Sequence, residues 1–181
     1  MNEQLEFAKL IAKRLDGAGF PYMMTGSMAM AVYAVPRMTR DIDIVVEYRP
    51  GDAEKLAALF ESDCYVDVDS VREAAATEGM FNIIHNEWFI KVDFIARKGE
   101  AYRKTEFERR RTIDLEGTPL AVTAPEDLIL SKLHWAKESE SELQQRDVKQ
   151  IIASAPDLDW PYLRKWAAVL GVGELLDRNT P

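Results

Sequence analysis

The sequence predicts an α/β (α+β) protein, a small mixed sheet with flanking helices followed by a C-terminal helical unit. Three observations carry this. Short β-rich runs alternate with amphipathic stretches over the first two thirds of the chain. Beyond Ala124-Pro125 the pattern turns wholly helical. Between them a Gly-Ser pair opens a short helix and leads to Asp41-Ile42-Asp43-Ile44-Val45-Val46, an apolar strand that begins with two acids. The expected division is an α/β core over 1–122 and a helical unit over 123–181, packed on the core.

The elements follow in order. Leu5, Ala8, Leu10, Ile11, Ala12 and Leu15 recur at near-helical spacing over 4–16, ending at Gly17 and Gly19. Pro21 to Met24 reads as a short buried strand. Gly26-Ser27 opens a helix to about Ala34, with Ser27 as its expected N-cap and Pro36 as its stop. Asp41 to Glu47 is a strand. Arg49-Pro50-Gly51-Asp52 is a turn, with Asp52 capping a helix over 53–61. Cys64 to Val68 alternates weakly as a strand end. Phe81–His85 and Phe89–Ala96 read as an antiparallel pair turning at Asn86-Glu87. Thr112–Leu115 and Leu120–Val122 flank a second hairpin signal, Glu116-Gly117-Thr118-Pro119. Three helices then follow, at about 126–137, 141–153 and 160–170, the last with an acidic cap and Pro161 in its first turn.

Composition narrows the class. The 181 residues are 47% hydrophobic and 30% charged, ordinary for a globular domain. No apolar run approaches the roughly 20 residues that span a bilayer. The N-terminus has no signal-peptide pattern, and a single cysteine, Cys64, allows no internal disulfide. A cytoplasmic protein with no membrane partner is the expectation. The net charge of −8 argues against indiscriminate nucleic-acid binding. Arg103, Lys104 and Arg109-Arg110-Arg111 make the one dense basic cluster. It reads first as a solvated helix face and loop, and second as an acceptor-binding edge.

The chemistry centres on the acids. Side chains alternate across a strand, so Asp41 and Asp43 share one face while Ile42, Ile44 and Val46 share the other. As a pair on an edge strand they could be merely solvated. On a largely buried strand they need a partner, and a hard divalent cation, Mg2+ or Mn2+, supplies one. The helix N-terminus at Gly26-Ser27 offers free backbone N–H groups to a phosphate. Arg37 and Arg40 flank the acids and could serve a carboxylate or a phosphate. Asp93, the one acid in Phe89-Ile90-Lys91-Val92-Asp93-Phe94-Ile95, is costly to bury unless it binds something. Asp67 and Asp69 compete with it but precede a helix, where capping is their expected use. At 100° per residue, Lys132 falls between Leu128 and Ala136, and Asp147 between Leu143 and Ile151. Both charges therefore face inward, either as a buried interhelical ion pair or as part of a ligand site. His85 and His134 stand alone with no zinc spacing, and Cys64 reads as a small buried apolar residue.

Thr25-Gly26-Ser27 through Arg40-Asp41-Ile42-Asp43 resembles the signature of the DNA polymerase β-type nucleotidyltransferase superfamily. The form Met28-Ala29-Met30-Ala31 … Pro36-Arg37-Met38-Thr39-Arg40-Asp41-Ile42-Asp43 resembles its small bacterial branch of AbiEii-type toxin nucleotidyltransferases. The resemblance covers the first half strongly and the second more loosely, through Pro125-Glu126-Asp127-Leu128 … Lys132 … Asp147. It implies a sheet of the nucleotidyltransferase type and metal-dependent transfer of a nucleoside monophosphate from an NTP to a hydroxyl, releasing pyrophosphate. It implies Asp41, Asp43 and Asp93 as the metal triad. Gly26, Ser27, Arg40, Lys132 and Asp147 would bind the nucleotide, with Lys132 also catalytic. The acceptor it leaves open: RNA such as a tRNA end, a protein side chain, or a small hydroxylated molecule. A cognate toxin or antitoxin partner is implied as well. The alternative is a non-catalytic nucleotide- or partner-binding module of a toxin–antitoxin pair.

Overall fold

The computed structural model describes residues 2–36, 41–139, 141–155 and 157–180. Among them the chain runs α1 (Asn2–Ala18), β1 (Tyr22–Thr25), α2 (Gly26–Tyr33), β2 (Asp41–Val46), a 3-10 turn (Pro50–Asp52), α3 (Ala53–Ala58), β3 (Cys64–Tyr65), α4 (Val68–Thr77), β4 (Met80–His85) and β5 (Lys91–Ala96). It continues through α5 (Ala101–Glu108), β6 (Arg111–Leu115), β7 (Thr118–Val122), α6 (Pro125–Ser139), α7 (Glu142–Ser154), α8 (Trp160–Leu170) and α9 (Gly173–Asn179). The strands form one mixed sheet in the order β3-β4-β5-β2-β1-β7-β6, with β2/β5 and β1/β7 parallel and the other neighbours antiparallel. The α/β reading therefore holds.

Strand β2 shows why. Its residues alternate half-buried and buried, with Ile42, Ile44 and Val46 wholly inside. They join Phe7, Ile11 and Leu15 of α1, Leu56 of α3, Val71 of α4 and Phe81, Val92 and Phe94 of β4 and β5 in one cluster. Phe81 and Phe94 stack at 4.9 Å within it. Each such side chain contributes about 1.5–3 kcal/mol by leaving water. A second cluster gathers Leu128, Ile129, Leu130 and Leu133 of α6, Val148 and Ile151 of α7, Leu163 and Ala167 of α8 and Leu176 of α9. Ala29 and Met30 of α2 and Tyr102 of α5 belong to this second cluster. The first cluster fills one face of the sheet, and α2 and α6 lie on the other.

Local chemistry sets several boundaries. The Asp67 side chain accepts from the Asp69 N–H, so Val68 starts α4 rather than extending the preceding strand. That corrects the strand expected over 64–68 and bears out the capping role of Asp67. Ser141 and Asp159 cap α7 and α8 in the same way, and Gly171 ends α8 in the left-handed conformation. Thr25, not Ser27, stands at the N-cap of α2, because the helix already begins at Gly26. Cys64 is buried and free, as its apolar reading implied. No helix among the described residues is long and apolar enough to cross a membrane.

Candidate active site

Two strand registers assemble the site. β2 and β5 run parallel with Asp43 opposite Asp93 and Asp41 opposite Lys91. β1 places Thr25 opposite Asp43, and β4 places Asn82 opposite Asp93. Cross-strand partners share a face, so Thr25, Asp43, Asp93 and Asn82 form one polar row across four strands, roughly 4.8 Å apart from strand to strand. Asp41 and Lys91 form the start of the neighbouring row. The sequence reading named Asp41, Asp43 and Asp93 for the site; it gave no role to Asn82, whose signal is the cross-strand pairing, or to Lys91, which strand alternation already sets on the face of Asp93.

Strand β1 ends into α2 directly beside this row. Gly26 has φ +61°, a conformation that disfavours side chains, and a Cβ built on it would stand 2.0 Å from Asp43 Oδ2. The backbone at the start of α2 is thus pressed against the carboxylate, and only glycine fits. A cavity of about 240 Å³ opens here, lined by Thr25, Gly26, Ser27 and Asp43 on the sheet side and by Ser131, Lys132, Trp135 and Gln144 on the helical side.

Electrostatics reflect the crowding. Burial, then the neighbouring Asp93 and Asp41, push the Asp43 carboxyl up to about 6, while Lys132 and Lys91 pull the other way. Lys132, 4% exposed, donates to Asp147 at 2.7 Å and to Gln144 at 3.1 Å. The helical arithmetic placed both charges inward, and the structure brings them together. Lys132 also lines the cavity, whereas Asp147, 1% exposed, stands behind it. Lys91 holds Asp93 with Nζ 2.8 Å from each carboxylate oxygen, and this contact raises its affinity for its proton.

A divalent cation finds suitable chemistry in this row: hard carboxylate oxygens, adjacent by register, on a carboxyl whose repulsion a cation would relieve. Among the described residues no group of three or more His, Cys, Asp or Glu side chains is placed to hold a metal ion. At Asp93 the ammonium of Lys91 sits against both carboxylate oxygens.

Not every expected residue falls here. Arg37 and Arg40 lie outside the described residues. The basic cluster divides: Arg103 pairs with Glu106 at 2.8 Å and donates to Ser131 of α6, and Arg109 donates to Asp127 at 3.0 Å and Glu126 at 3.1 Å while lying 3.8 Å over the Tyr162 ring, so these two tie α5, α6 and α8 together. Lys104 and Arg111 are exposed, as a solvated face requires. His85 stacks on Trp88 at 4.2 Å, a packing role.

No family model matches the chain, and no curated protein matches it by sequence. Solved structures do match by fold. An antigenic nucleotidyltransferase-like protein from Paracoccidioides brasiliensis aligns with a TM-score of 0.59 at 16% identity, over 98% of this chain and 93% of that one. ANT(2″)-Ia, solved in complex with adenylyl-2″-tobramycin, aligns with a TM-score of 0.60 at 15% identity, over 93% and 97%. The lincomycin-bound lincosamide antibiotic adenylyltransferase LnuA aligns with a TM-score of 0.50 at 13% identity, over 76% and 89%. The chain therefore has a nucleotidyltransferase-like fold. At these identities the likeness is one of fold.

Proposed function

We propose that this chain is a metal-dependent nucleotidyltransferase that moves a nucleoside monophosphate from an NTP to a hydroxyl acceptor and releases pyrophosphate. The observation that carries the reading is the contact of Gly26 with Asp43, at a cavity shared by Ser27 and Lys132. A helix N-terminus and a lysine suit a polyphosphate, and carboxylates suit its metal. Asp41, Asp43 and Asp93 would hold Mg2+ or Mn2+. When bound, the ion neutralises phosphate charge and lowers the barrier to displacement at phosphorus. Gly26 and Ser27 hold the β and γ phosphates through N–H groups and the Ser27 hydroxyl. The acceptor oxygen bonds to the α-phosphorus as the bond to the bridging oxygen breaks. Asp93 takes the acceptor proton, and Lys132 balances charge on the departing pyrophosphate.

For the acceptor we favour a small hydroxylated molecule. The chain carries net charge −8, and two arginines of its one dense basic cluster, Arg103 and Arg109, are engaged by internal carboxylates. ANT(2″)-Ia, of similar fold, was solved with an adenylylated tobramycin. The AbiEii-type resemblance would instead imply RNA such as a tRNA end. The test is incubation with Mg2+ and each α-labelled NTP against cell extract separated into small-molecule, RNA and protein fractions. Label from one NTP should enter the small-molecule fraction and disappear with Asp93→Asn. No transfer from any NTP to any fraction would reject the reading, and label in tRNA would overturn the acceptor choice.

A further inference from the structure

The carboxylate row contains its own cation. Lys91 Nζ lies 2.8 Å from both oxygens of Asp93, two residues along the same face of β5. The register sets Lys91 opposite Asp41 and Asp93 opposite Asp43, so one ammonium faces three acids. On the other side β4 offers only Ile84 opposite Lys91 and Asn82 opposite Asp93, neither of which carries charge. Lys91 is therefore the cation that β4, β5 and β2 place at the start of this row, with Lys132 entering from α6. Its side chain is 41% exposed, against 13% for Asp93, so the lysine has room to leave while the acid does not. An ordinary surface ion pair would face water on both sides; this one closes the ligand that a metal needs.

We propose that Lys91 is an internal counter-ion that competes with the divalent cation for Asp93. In the metal-free protein it offsets the repulsion among Asp41, Asp43 and Asp93. On loading, Asp93 exchanges the Lys91 ammonium for the ion, and Lys91 moves into solvent. The inference rests on the metal-dependent reading above and adds a consequence that reading lacks: the protein holds its metal more weakly than its carboxylates would on their own.

Binding of Mn2+ alone, followed by calorimetry and by the loss of the free-ion paramagnetic signal, tests it on the full chain. Lys91→Met removes the competitor and should tighten Mn2+ binding about two- to fivefold, the scale of a partly exposed ion pair. Lys91→Arg keeps the charge and should stay near wild type. Thermal melts confirm that both variants fold. In the wild-type protein, Mg2+ should raise the rate of amine acylation at Lys91, read by mass spectrometry against the other lysines, because the ammonium leaves Asp93. Unchanged or weaker Mn2+ binding in Lys91→Met, with wild type binding normally, would overturn the competition alone. Absence of Mn2+ binding in wild type and Lys91→Met alike would overturn the metal reading together with it.

Discussion

Asp43 carries the clearest electrostatic conflict on the sheet. Burial and two like charges raise its carboxyl from an ordinary 3.8 to about 6. A folded-state value above the unfolded one means that the native protein binds more protons between those limits. Stability from this group is fully present below about pH 4 and is lost as pH rises through about 6. At about 1.4 kcal/mol per unit, the upper bound is about 3 kcal/mol. Asp43→Asn removes the conflict and leaves the other groups to titrate as before. Urea melts of both proteins in EDTA should therefore show the variant gaining on wild type from about pH 4 to about pH 7. A difference that stays flat or shrinks over that range would show that Asp43 is not the strained member of the row. Gly26 is the steric side of the same fact, since its missing Cβ is what lets α2 begin against this carboxylate.

At the scale of elements, Lys132 and Asp147 join α6 to α7 through a pair buried on both sides. Removing the lysine alone breaks a buried ion pair, at a cost of roughly 3–5 kcal/mol. Lys132→Met should therefore lower the melting temperature sharply. The double variant Lys132→Met/Asp147→Leu should recover most of that loss, because apolar pairs replace buried ion pairs well. If Lys132 also serves a polyphosphate, triphosphate affinity should stay low in the double variant. Recovery of affinity along with stability would reduce the pair to a structural tie. This pair was legible in the sequence because both members are fixed by local helical period. The strand acids were legible as individuals, but the facing of Asp43 by Asp93 and of Asp41 by Lys91 was not. Parallel pairing joins segments 50 residues apart, and nothing local specifies it. Arg109 was misread for a related reason. A run of like charges looks solvated when read locally, while the carboxylates that draw in Arg109 lie 17 and 18 residues away on α6. Helix α5 is 8 residues long with Tyr102 and Phe107 as its large apolar side chains among charged neighbours, too few to make a stripe, and α9 is only 7 residues long.

Across the whole molecule, the cavity joins the two hydrophobic clusters. Its sheet wall belongs to β1, β2, β4, β5 and the start of α2, and its other wall to α6 and α7. A ligand filling it binds only when both walls are in place, so it adds its binding energy to the folded state and not to the unfolded one. At a hundred times its dissociation constant that linkage amounts to about 2.7 kcal/mol. For a chain of this length it should raise the melting temperature by roughly 5–10 °C. The carboxylate row repels a bare triphosphate, so the rise should need Mg2+ or Mn2+ and vanish with EDTA. Hydrogen exchange on the same samples should slow in β2 and in α7 together, since the ligand touches Asp43 and Gln144 across the gap. A rise that survives EDTA would remove the metal from the account of binding. Protection confined to the sheet would place the ligand away from Lys132, and no thermal shift with any NTP and metal would mean that this cavity is not a nucleotide site.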